Sequence, residues 1–408
     1  MCFYGGMNMI ASLALIFLAG IAAAAVCERL KLPRIIGMLA VGVAAGPYAL
    51  NLLAPSILGV SAELRRIALI VILIKAGLSL NLADLKKVGR PALLMAFLPA
   101  VFEIAAYVLL APLLLGVTRT EAAVLGAVMG AVSPAVVVPR MVQLMEEKRG
   151  TDKQIPQLIL AGASLDDVFV IVLFTSFLSM EQGAGAGLSQ LAQIPLSIVL
   201  GIALGAACGL ALAALFERAH LTGRSIRNSM KVILVLGTAF LLTSAEGWLE
   251  GKAPVSGLLA VMSMACAVQL RCRRSVTEDL SKKYGKLWIA AEVALFVLVG
   301  AAVDVRYTLT AGPMAAVMIL LALAVRSLGV LLSVAGTRLD RRERLYCVIA
   351  YLPKATVQAA IGSVPLAMGL PCGSLVLSSA VLSILITAPL GAILMDKTGG
   401  KLLKKEDA

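Results

Sequence analysis

The 408-residue chain has little of what soluble enzymes use for chemistry. Its one histidine, His220, lies in a charged loop, which argues against a histidine-based catalytic site. The seven cysteines occur singly and without Cys-x-x-Cys spacing, so the sequence predicts neither a disulfide framework nor a zinc site. Only 14% of the residues are charged, against roughly 25% in an average soluble domain. These shortages argue against a soluble enzyme.

Two classes of intramembrane enzyme also lack their motifs here. An intramembrane aspartyl protease needs one aspartate on each of two helices and a Gly-x-Gly-Asp element, which the sequence does not contain. A prenyl-transfer enzyme uses Asp-Asp-x-x-Asp, and the stretch Asp166-Asp-Val-Phe-Val170 lacks the last acid. The sequence therefore predicts a protein that is not an enzyme and that needs no cofactor.

The chain instead contains many long hydrophobic segments. Hydrophobic residues make up 60% of it, and its mean hydropathy is +0.97. A membrane-spanning helix needs about 20 predominantly apolar residues. Thirteen candidate spans follow from this criterion, near residues 9–27, 34–53, 64–81, 91–115, 121–145, 155–180, 188–216, 229–247, 253–271, 284–304, 312–335, 344–369 and 373–395. The sequence thus predicts an all-α membrane protein with about 13 transmembrane helices.

The distribution of Lys and Arg supports this count. Of the 36 basic residues, 28 lie in loops after odd-numbered spans or in the C-terminal tail, and five lie in the other loops. Cytoplasmic loops carry an excess of Lys and Arg. We therefore expect the N-terminus outside and the C-terminus in the cytoplasm, in a prokaryotic cell membrane. Because this asymmetry accounts for the +13 net charge, no nucleic-acid partner is expected.

Two stretches of the chain, 64–99 and 287–322, are weakly similar. The same offset that aligns 77–81 with 300–304 places Glu103 on Arg326. The match relates span 4 to span 11, and an odd separation of seven spans gives the two copies opposite orientations, as in inverted-repeat transporters. Chance pairing of Leu- and Ala-rich segments is the alternative. The predicted organisation is a first repeat at 1–180, a linker helix at 188–216 and a second repeat at 229–396.

Prolines interrupt spans 5 and 12, which correspond under this repeat. Pro134 and Pro139 lie in span 5, and Pro353 lies in span 12 shortly before Thr356. A proline inside a helix removes a hydrogen bond and clashes with the preceding turn. Paired interrupted spans mark the substrate site of inverted-repeat transporters. The sequence predicts two crossed broken helices, with simple proline kinks as the alternative.

Seven charged side chains lie well inside the predicted spans, away from their ends: Lys75, Glu103, Asp166, Asp167, Glu292, Arg326 and Lys354. A charge at the centre of a membrane helix costs roughly 2.5–3.5 kcal/mol on insertion scales and marks a functional site by default. Glu103 and Arg326 should both lie near the midplane, so we expect them to form an ion pair. Lys354 should lie near the aspartates. Lys75 and Glu292 either pair with each other or stabilise the scaffold.

Asp166 and Asp167 are the most informative of these residues. Neighbouring helix residues point about 100° apart, so one aspartate can meet Lys354 or Arg326 while the other faces a cavity. A carboxylate that binds either a proton or a hard cation sets up the competition on which antiport depends. Oxygen ligands suit such cations. The other candidate ligands are hydroxyls and freed backbone carbonyls, and the hydroxyls belong to Ser133, Ser164 and Thr356.

Five stretches of the sequence carry a family resemblance: Pro33-Arg-Ile-Ile-Gly-Met-Leu with Gly46-Pro47, Ile67-Ala-Leu-Ile-Val-Ile-Leu-Ile-Lys75-Ala-Gly-Leu, Val132-Ser-Pro-Ala-Val-Val-Val-Pro139, Gly162-Ala-Ser-Leu-Asp-Asp167 and Leu352-Pro-Lys-Ala-Thr-Val-Gln-Ala-Ala-Ile-Gly-Ser363. Together they resemble the cation:proton antiporter superfamily, and within it the NHA branch of Na+/H+ exchangers. The last three stretches are the specific ones.

The resemblance implies a homodimer that works by elevator-like alternating access. It implies a core domain from spans 4–6 and 11–13 and a dimer domain mainly from the remaining spans. Asp167 would be the main ligand of Na+ or Li+, with Asp166 assisting, and Glu103, Arg326 and Lys354 would form the surrounding charge network. In the family, adjacent aspartates go with electrogenic exchange and a Glu–Arg pair with electroneutral exchange, so the stoichiometry stays open.

The expected function is therefore exchange of Na+ or Li+ for H+. A sodium-coupled organic-solute symporter of related architecture is the main alternative, and it would use sodium without moving protons. A channel is a further alternative. It would need neither a proton-titratable cation site nor paired broken helices, so these predicted features argue against it.

Overall fold

Helices account for nearly all of the chain, because in lipid each backbone polar group must be bonded within its own segment. The structure, a computed structural model, describes residues 7–79, 89–182, 188–222, 226–249 and 255–405. The helices within these ranges are α1 Met9–Arg29, α2 Arg34–Ala45, α3 Pro55–Gly59, α4 Ser61–Ser79, α5 Arg90–Leu115, α6 Arg119–Met129, α7 Pro134–Glu146, α8 Ile155–Gln182, α9 Leu188–Leu221, α10 Asn228–Trp248, α11 Gly257–Arg271, α12 Arg274–Ala301, α13 Val305–Ser333, α14 Arg341–Ala350, α15 Thr356–Gly362, α16 Val364–Ala367 and α17 Gly373–Leu402.

Each of the thirteen predicted spans contains at least one of these helices. Over the described ranges, nine helical segments are long and apolar enough to cross a membrane. Three further apolar segments are shorter, at Arg34–Ala45, Gly257–Arg271 and Thr356–Ala367. The last two residues of span 3 and the first two of span 9 lie outside the described residues. The total of thirteen crossings stays a prediction.

Spans 5 and 12 are both broken, as predicted. Span 5 consists of α6 and α7, and span 12 consists of α14, α15 and α16. The two interruptions meet, because the amide of Ser133 donates to the carbonyl oxygen of Pro353 at 2.8 Å. Pro134 is the first residue of α7, where the missing N–H costs little. The alternative of simple proline kinks is wrong for these spans.

Pro139 has a different place from the one predicted. It lies inside α7, which continues past it to Glu146. A helix can continue past a proline when the lost hydrogen bond and the local bend are tolerated by the packing around it. The interruption of span 5 is therefore upstream, at residues 130–133, and Pro139 takes no part in it.

One compact unit consists of the described residues of Met1–Arg65, Asn81–Val170 and Val293–Ala408. Within it, α5 and α13 pack closely along their lengths. A Cβ atom at Gly329 on α13 would lie 2.8 Å from the carbonyl oxygen of Leu98 on α5, so a larger residue would push the helices apart. Helix α17 packs against α13, α14 and α15. This unit contains both broken helices and the aspartate pair.

The other compact unit consists of the described residues of Arg66–Leu80 and Ile171–Glu292. Helices α9 and α11 form its closest contact, and the hydroxyl of Ser263 on α11 donates to the carbonyl oxygen of Ile202 at 2.7 Å. Lys75 lies with its ammonium 5.8 Å from the ring centre of Trp288 and within electrostatic range of Glu292. The division of the chain into a core domain and a dimer domain stays a prediction.

Candidate ion-binding site

The packing of α5 on α13 brings Glu103 and Arg326 together. The Nη1 atom of Arg326 lies 2.7 Å from Oε2 of Glu103, and both side chains are almost fully buried. The ion pair predicted from their related positions is therefore present. Without its partner, either charge would be costly to keep at this depth.

Arg326 also reaches the aspartate pair and both interruptions. Its Nη2 lies 3.1 Å from Oδ2 of Asp166. Its Nε donates to the carbonyl oxygen of Tyr351 at 3.0 Å, and its Nη1 donates to the carbonyl oxygen of Gly130. A guanidinium offers five donors in a rigid plane, which suits a group that must satisfy several fixed acceptors. Arg326 thus links α5, α8 and the two interrupted segments.

Lys354 follows Pro353 in the interruption of span 12. Its Nζ donates to Oε2 of Glu103 at 2.6 Å and to the carbonyl oxygen of Met129 at 2.5 Å. Its backbone amide donates to the hydroxyl of Thr387 at 2.8 Å. Lys354 lies beside the network as predicted, but its acidic partner is Glu103 and neither aspartate. Its charge faces the C-terminal end of α6, where the helix dipole favours a cation.

Gln358 is a contributor that the sequence analysis missed. Its Nε2 donates to the carbonyl oxygens of Val128, at 3.1 Å, and Ala131, at 2.9 Å. Its Oε1 accepts the amide of Ala355 at 2.8 Å. The side chain therefore joins the two interruptions and is fully buried. An amide in an otherwise apolar run, just after a proline interruption, was the signal that could have found it.

The carbonyls at the end of α6 already have partners. Those of residues 128–131 accept hydrogen bonds from Gln358, Lys354 and Arg326. We had expected freed carbonyls among the cation ligands. In the described residues these carbonyls instead accept hydrogen bonds from the two bases and from Gln358, which makes side-chain oxygens the stronger candidates for a bound cation.

The two aspartates have different surroundings, and the structure distinguishes them. Asp166 accepts the amide of Val132 at 2.7 Å with the same Oδ2 that faces Arg326, and its Oδ1 is buried without a partner. Within the part of the chain that the structure describes, no ion pair reaches Asp167, and its Oδ1 is likewise buried without a partner. Asp167 is 8% exposed and Asp166 is fully buried.

Of the three predicted hydroxyl ligands, the structure describes the side chains of two, Ser133 and Thr356. Ser133 is fully buried, and among the described residues its Oγ has no hydrogen-bond partner. Thr356 is buried at the first turn of α15. The side chain of Ser164 lies outside the described part of the structure.

The charges of the site do not balance. Glu103, Asp166 and Asp167 oppose only Arg326 and Lys354 when all five are ionised. Asp166 and Glu103 each face a base, so Asp167 carries the excess negative charge. One proton or one monovalent cation at Asp167 would neutralise the set.

The sequence of the chain is similar to those of known proteins. Residues 13–396 match the family model "Sodium/hydrogen exchanger, transmembrane". The chain is 35% identical over 360 residues to Sodium/hydrogen exchanger 9B2 of Xenopus tropicalis, which covers 85% of this chain and 65% of that protein. It is 31% identical over 361 residues to Sodium/hydrogen exchanger 9B1 of Macaca fascicularis, covering 85% of this chain and 68% of that protein. The chain thus spans about two thirds of the length of these relatives.

The fold is also similar to that of a solved transporter. The sodium proton antiporter MjNhaP1 from Methanocaldococcus jannaschii superposes with a TM-score of 0.82 at 21% identity, covering 97% of this chain and 98% of that one. This similarity confirms the predicted all-α fold of the Na+/H+ antiporters. A family of exchangers also agrees with the prediction that the protein is not an enzyme. With the family model matching nearly its whole length, the chain is a multi-pass membrane protein and belongs to the sodium/hydrogen exchanger family.

Proposed function

We propose that the protein exchanges Na+ or Li+ for H+ across the membrane by alternating access, with the cation and the proton competing for Asp167. The observation that carries the proposal is that, among the described residues, no base pairs with Asp167, whereas Arg326 opposes the charge of Asp166 beside it. Because Asp167 is the one acid of the set that faces no base, its charge is the one that a transported ion must neutralise.

The proposed cation ligands are the free oxygens of the site. Among the described residues they are Oδ1 of Asp167, Oδ1 of Asp166 and Oγ of Ser133. Carboxylate and hydroxyl oxygens suit small hard cations such as Na+ and Li+. A proton on Asp167 removes the charge that holds the cation, so the two ions exclude each other from the site. This competition, together with the family, supports exchange over sodium-coupled symport.

We further infer that the protein is a homodimer in a prokaryotic cell membrane, with its N-terminus outside and its C-terminus in the cytoplasm. The excess of basic residues in alternate loops supports the orientation. The resemblance to cation:proton antiporters supports the dimer, and also a mobile core domain formed by spans 4–6 and 11–13. Cross-linking of the protein in native membranes tests the dimer, and labelling of introduced cysteines on either side tests the orientation.

The exchange is tested with purified protein in liposomes that contain a pH-sensitive dye and carry an imposed proton gradient. We expect Na+ and Li+ to dequench the dye with the native protein and not with Asp167→Asn, because the amide cannot carry the charge that both ions neutralise. The matched control is Asp396→Asn, whose carboxylate is 48% exposed beside Arg140 at the far end of α17, and which should exchange at close to the native rate.

The two parts of the proposal can fail separately. If neither cation produces dequenching with the native protein, the proposed exchange is wrong. If Asp167→Asn keeps full activity while the native protein exchanges, the function stands and the assignment of the site is wrong.

A further inference from the structure

Tyr351 is a fully buried residue next to the ion-binding site that the proposed mechanism does not yet use. It follows α14 directly and begins the interruption of span 12. Its carbonyl oxygen accepts from Nε of Arg326 at 3.0 Å, and its ring centre lies 5.5 Å from the guanidinium carbon. Its backbone and ring are thus fixed. The hydroxyl of Tyr351, in contrast, has no hydrogen-bond partner among the described residues.

The position of this hydroxyl is defined by Gly162 on α8. A Cβ atom at residue 162 would overlap the hydroxyl oxygen of Tyr351 and would lie 3.4 Å from the ring carbon that bears it. The Cβ atom of Met95 lies 2.9 Å from the same position, so a side chain at residue 162 would also crowd Met95. A glycine at 162 therefore lets the hydroxyl lie directly against the backbone of α8.

Gly162 is one turn before Asp166 on α8. Residues four apart lie on the same face of a helix, and helical side chains lean towards the N-terminus. The carboxylate of Asp166 therefore leans over the turn against which the Tyr351 hydroxyl lies. Oδ2 of Asp166 is taken by Val132 and Arg326, which leaves Oδ1 as its free oxygen. The Tyr351 side chain is within electrostatic range of both Asp166 and Asp167.

We propose that the hydroxyl of Tyr351 is a neutral oxygen of the cation site and sets its affinity for Na+ and Li+. The inference rests on the proposed exchange at Asp167. A hydroxyl has one donor and two acceptor lone pairs. When the cation binds, the hydroxyl turns a lone pair towards it and adds a hard oxygen without adding charge.

This role separates Tyr351 from the charged residues of the network. Loss of Arg326 or Lys354 changes the net charge of the site, whereas loss of a phenolic hydroxyl removes one oxygen and leaves every charge in place. The effect should therefore appear in the apparent affinity for the cation. The maximal rate, which depends on the movement of the loaded site, should be retained.

The first experiment compares Tyr351→Phe with the native protein in the liposome exchange assay. We expect the apparent KM for Na+ and for Li+ to rise about five- to tenfold, the effect of one lost hydrogen bond or neutral ligand, with the maximal rate within about twofold. An unchanged KM for both cations in a variant that exchanges at the native rate would overturn the proposal.

Tyr107→Phe is the matched control. Tyr107 is also buried, and its hydroxyl also has no partner among the described residues, but it lies on α5 one turn beyond Glu103. Its loss should leave both KM values unchanged. If Tyr107→Phe raised them as much as Tyr351→Phe does, the effect would be that of any lost buried hydroxyl, and the assignment of Tyr351 would be wrong.

Gly162→Ala tests the geometry independently, because its methyl group would occupy the position of the hydroxyl oxygen. We expect it to raise KM as Tyr351→Phe does. In the Tyr351→Phe background the overlapping atom is gone, so Gly162→Ala should raise KM by a much smaller factor. If the KM increase of the double variant equals the product of the two single-variant increases, the residues act separately and the proposal is overturned. Thermal stability in detergent is measured in parallel, to show that each variant is folded.

The failure of this inference differs from that of the proposed function. If the native protein exchanges neither cation for protons, the function itself is wrong. If the native protein exchanges and Tyr351→Phe behaves like Tyr107→Phe, only the role of the tyrosine is wrong.

Discussion

Two clusters of charge in the same compact unit use similar side chains in different surroundings. The buried network consists of Glu103, Asp166, Arg326 and Lys354, whose side chains are at most 2% exposed. The loop cluster consists of the pairs Arg140–Asp396 and Lys153–Glu343, at 2.9 and 2.8 Å. In the loop cluster only Glu343 is fully buried; Arg140, Lys153 and Asp396 are 19%, 26% and 48% exposed.

The loop cluster connects the ends of helices and has no excess charge. Arg140 links α7 to α17, and Lys153 links the start of α8 to Glu343, which caps the start of α14. The backbone adds to these links, since the amide of Gly150 donates to the carbonyl oxygen of Lys404 at 2.8 Å. Each of its two pairs is neutral by itself. Together with Asp167, the buried network carries one excess negative charge, and this excess distinguishes the proposed ion-binding site from the loop cluster.

The comparison is tested most strongly by removing one base from each cluster. Arg326→Gln leaves Glu103 and Asp166 without an opposing guanidinium in a buried site, so the free energy of unfolding should fall by about 3–5 kcal/mol. Arg140→Gln removes a partly exposed pair and should cost less than about 1 kcal/mol. Thermal unfolding of the purified variants in detergent measures both.

Charge reversal shows whether Glu103 and Arg326 act directly on each other. Glu103→Arg and Arg326→Glu should each be strongly destabilising, and the double variant should recover part of the loss. Complete recovery is not expected, because Arg326 also faces Asp166 and Glu103 also faces Lys354. Absence of any recovery would contradict a direct pair.

The unbalanced charge of Asp167 also predicts the stoichiometry that the sequence left open. If the paired residues keep their partners throughout the cycle, one Na+ replaces one H+ and no net charge moves. A 100 mV potential contributes about 2.3 kcal/mol for each net charge, equivalent to roughly a fiftyfold gradient. We expect a potassium diffusion potential to drive no Na+ accumulation in liposomes, and a pH gradient of similar size to drive it. Accumulation driven by the potential would mean that Asp166 also exchanges its proton.

The buried side-chain amide of Gln358 can be compared in the same way with the exposed one of Gln143. Gln358→Leu leaves the carbonyls of Val128 and Ala131 and the amide of Ala355 without a partner, which should cost about 1–3 kcal/mol of stability. Gln143→Leu removes an exposed bond to Glu147 and should be close to neutral. Equal changes in unfolding temperature would show that Gln358 does not hold the two interruptions together.

Local signals in the sequence account for the parts of the site that could be predicted. Prolines located both broken helices, and isolated charges in apolar runs located Glu103, Arg326, Lys354 and the aspartates. Pro139 was misplaced because a proline does not reveal whether the surrounding packing tolerates it inside a helix.

The contacts between distant segments could not be predicted in this way. Which aspartate meets Arg326 depends on the rotation of α8, and an apolar helix has no periodic pattern that fixes its rotation. Two other contacts depend on how closely α5, α8 and the interruptions approach one another. They are the ion pair of Lys354 with Glu103 and the contact of Tyr351 with Gly162. No local pattern of residues records those distances.

The smallest effect on exchange is expected for Lys153→Met in the loop cluster. The hydrogen bond to Glu343 raises the pKa of Lys153, and the amide of Glu343 lowers the pKa of Asp340. The stabilisation by Lys153 is complete below its unfolded pKa of about 10.4 and is lost as the pH rises through the folded value. That by Asp340 is complete above about 3.9 and is lost as the pH falls through its lowered value.

Neither Lys153 nor Asp340 changes charge near neutral pH. Lys153→Met leaves the buried carboxylate of Glu343 without its base, so it should lower the stability more than Arg140→Gln does, and by the same amount at pH 6 and at pH 8. The pH dependence of exchange over this interval should be unchanged in the variant, because it originates at Asp167. A shifted pH profile of exchange in Lys153→Met would mean that the loop cluster takes part in transport, and the distinction between the two clusters would fail.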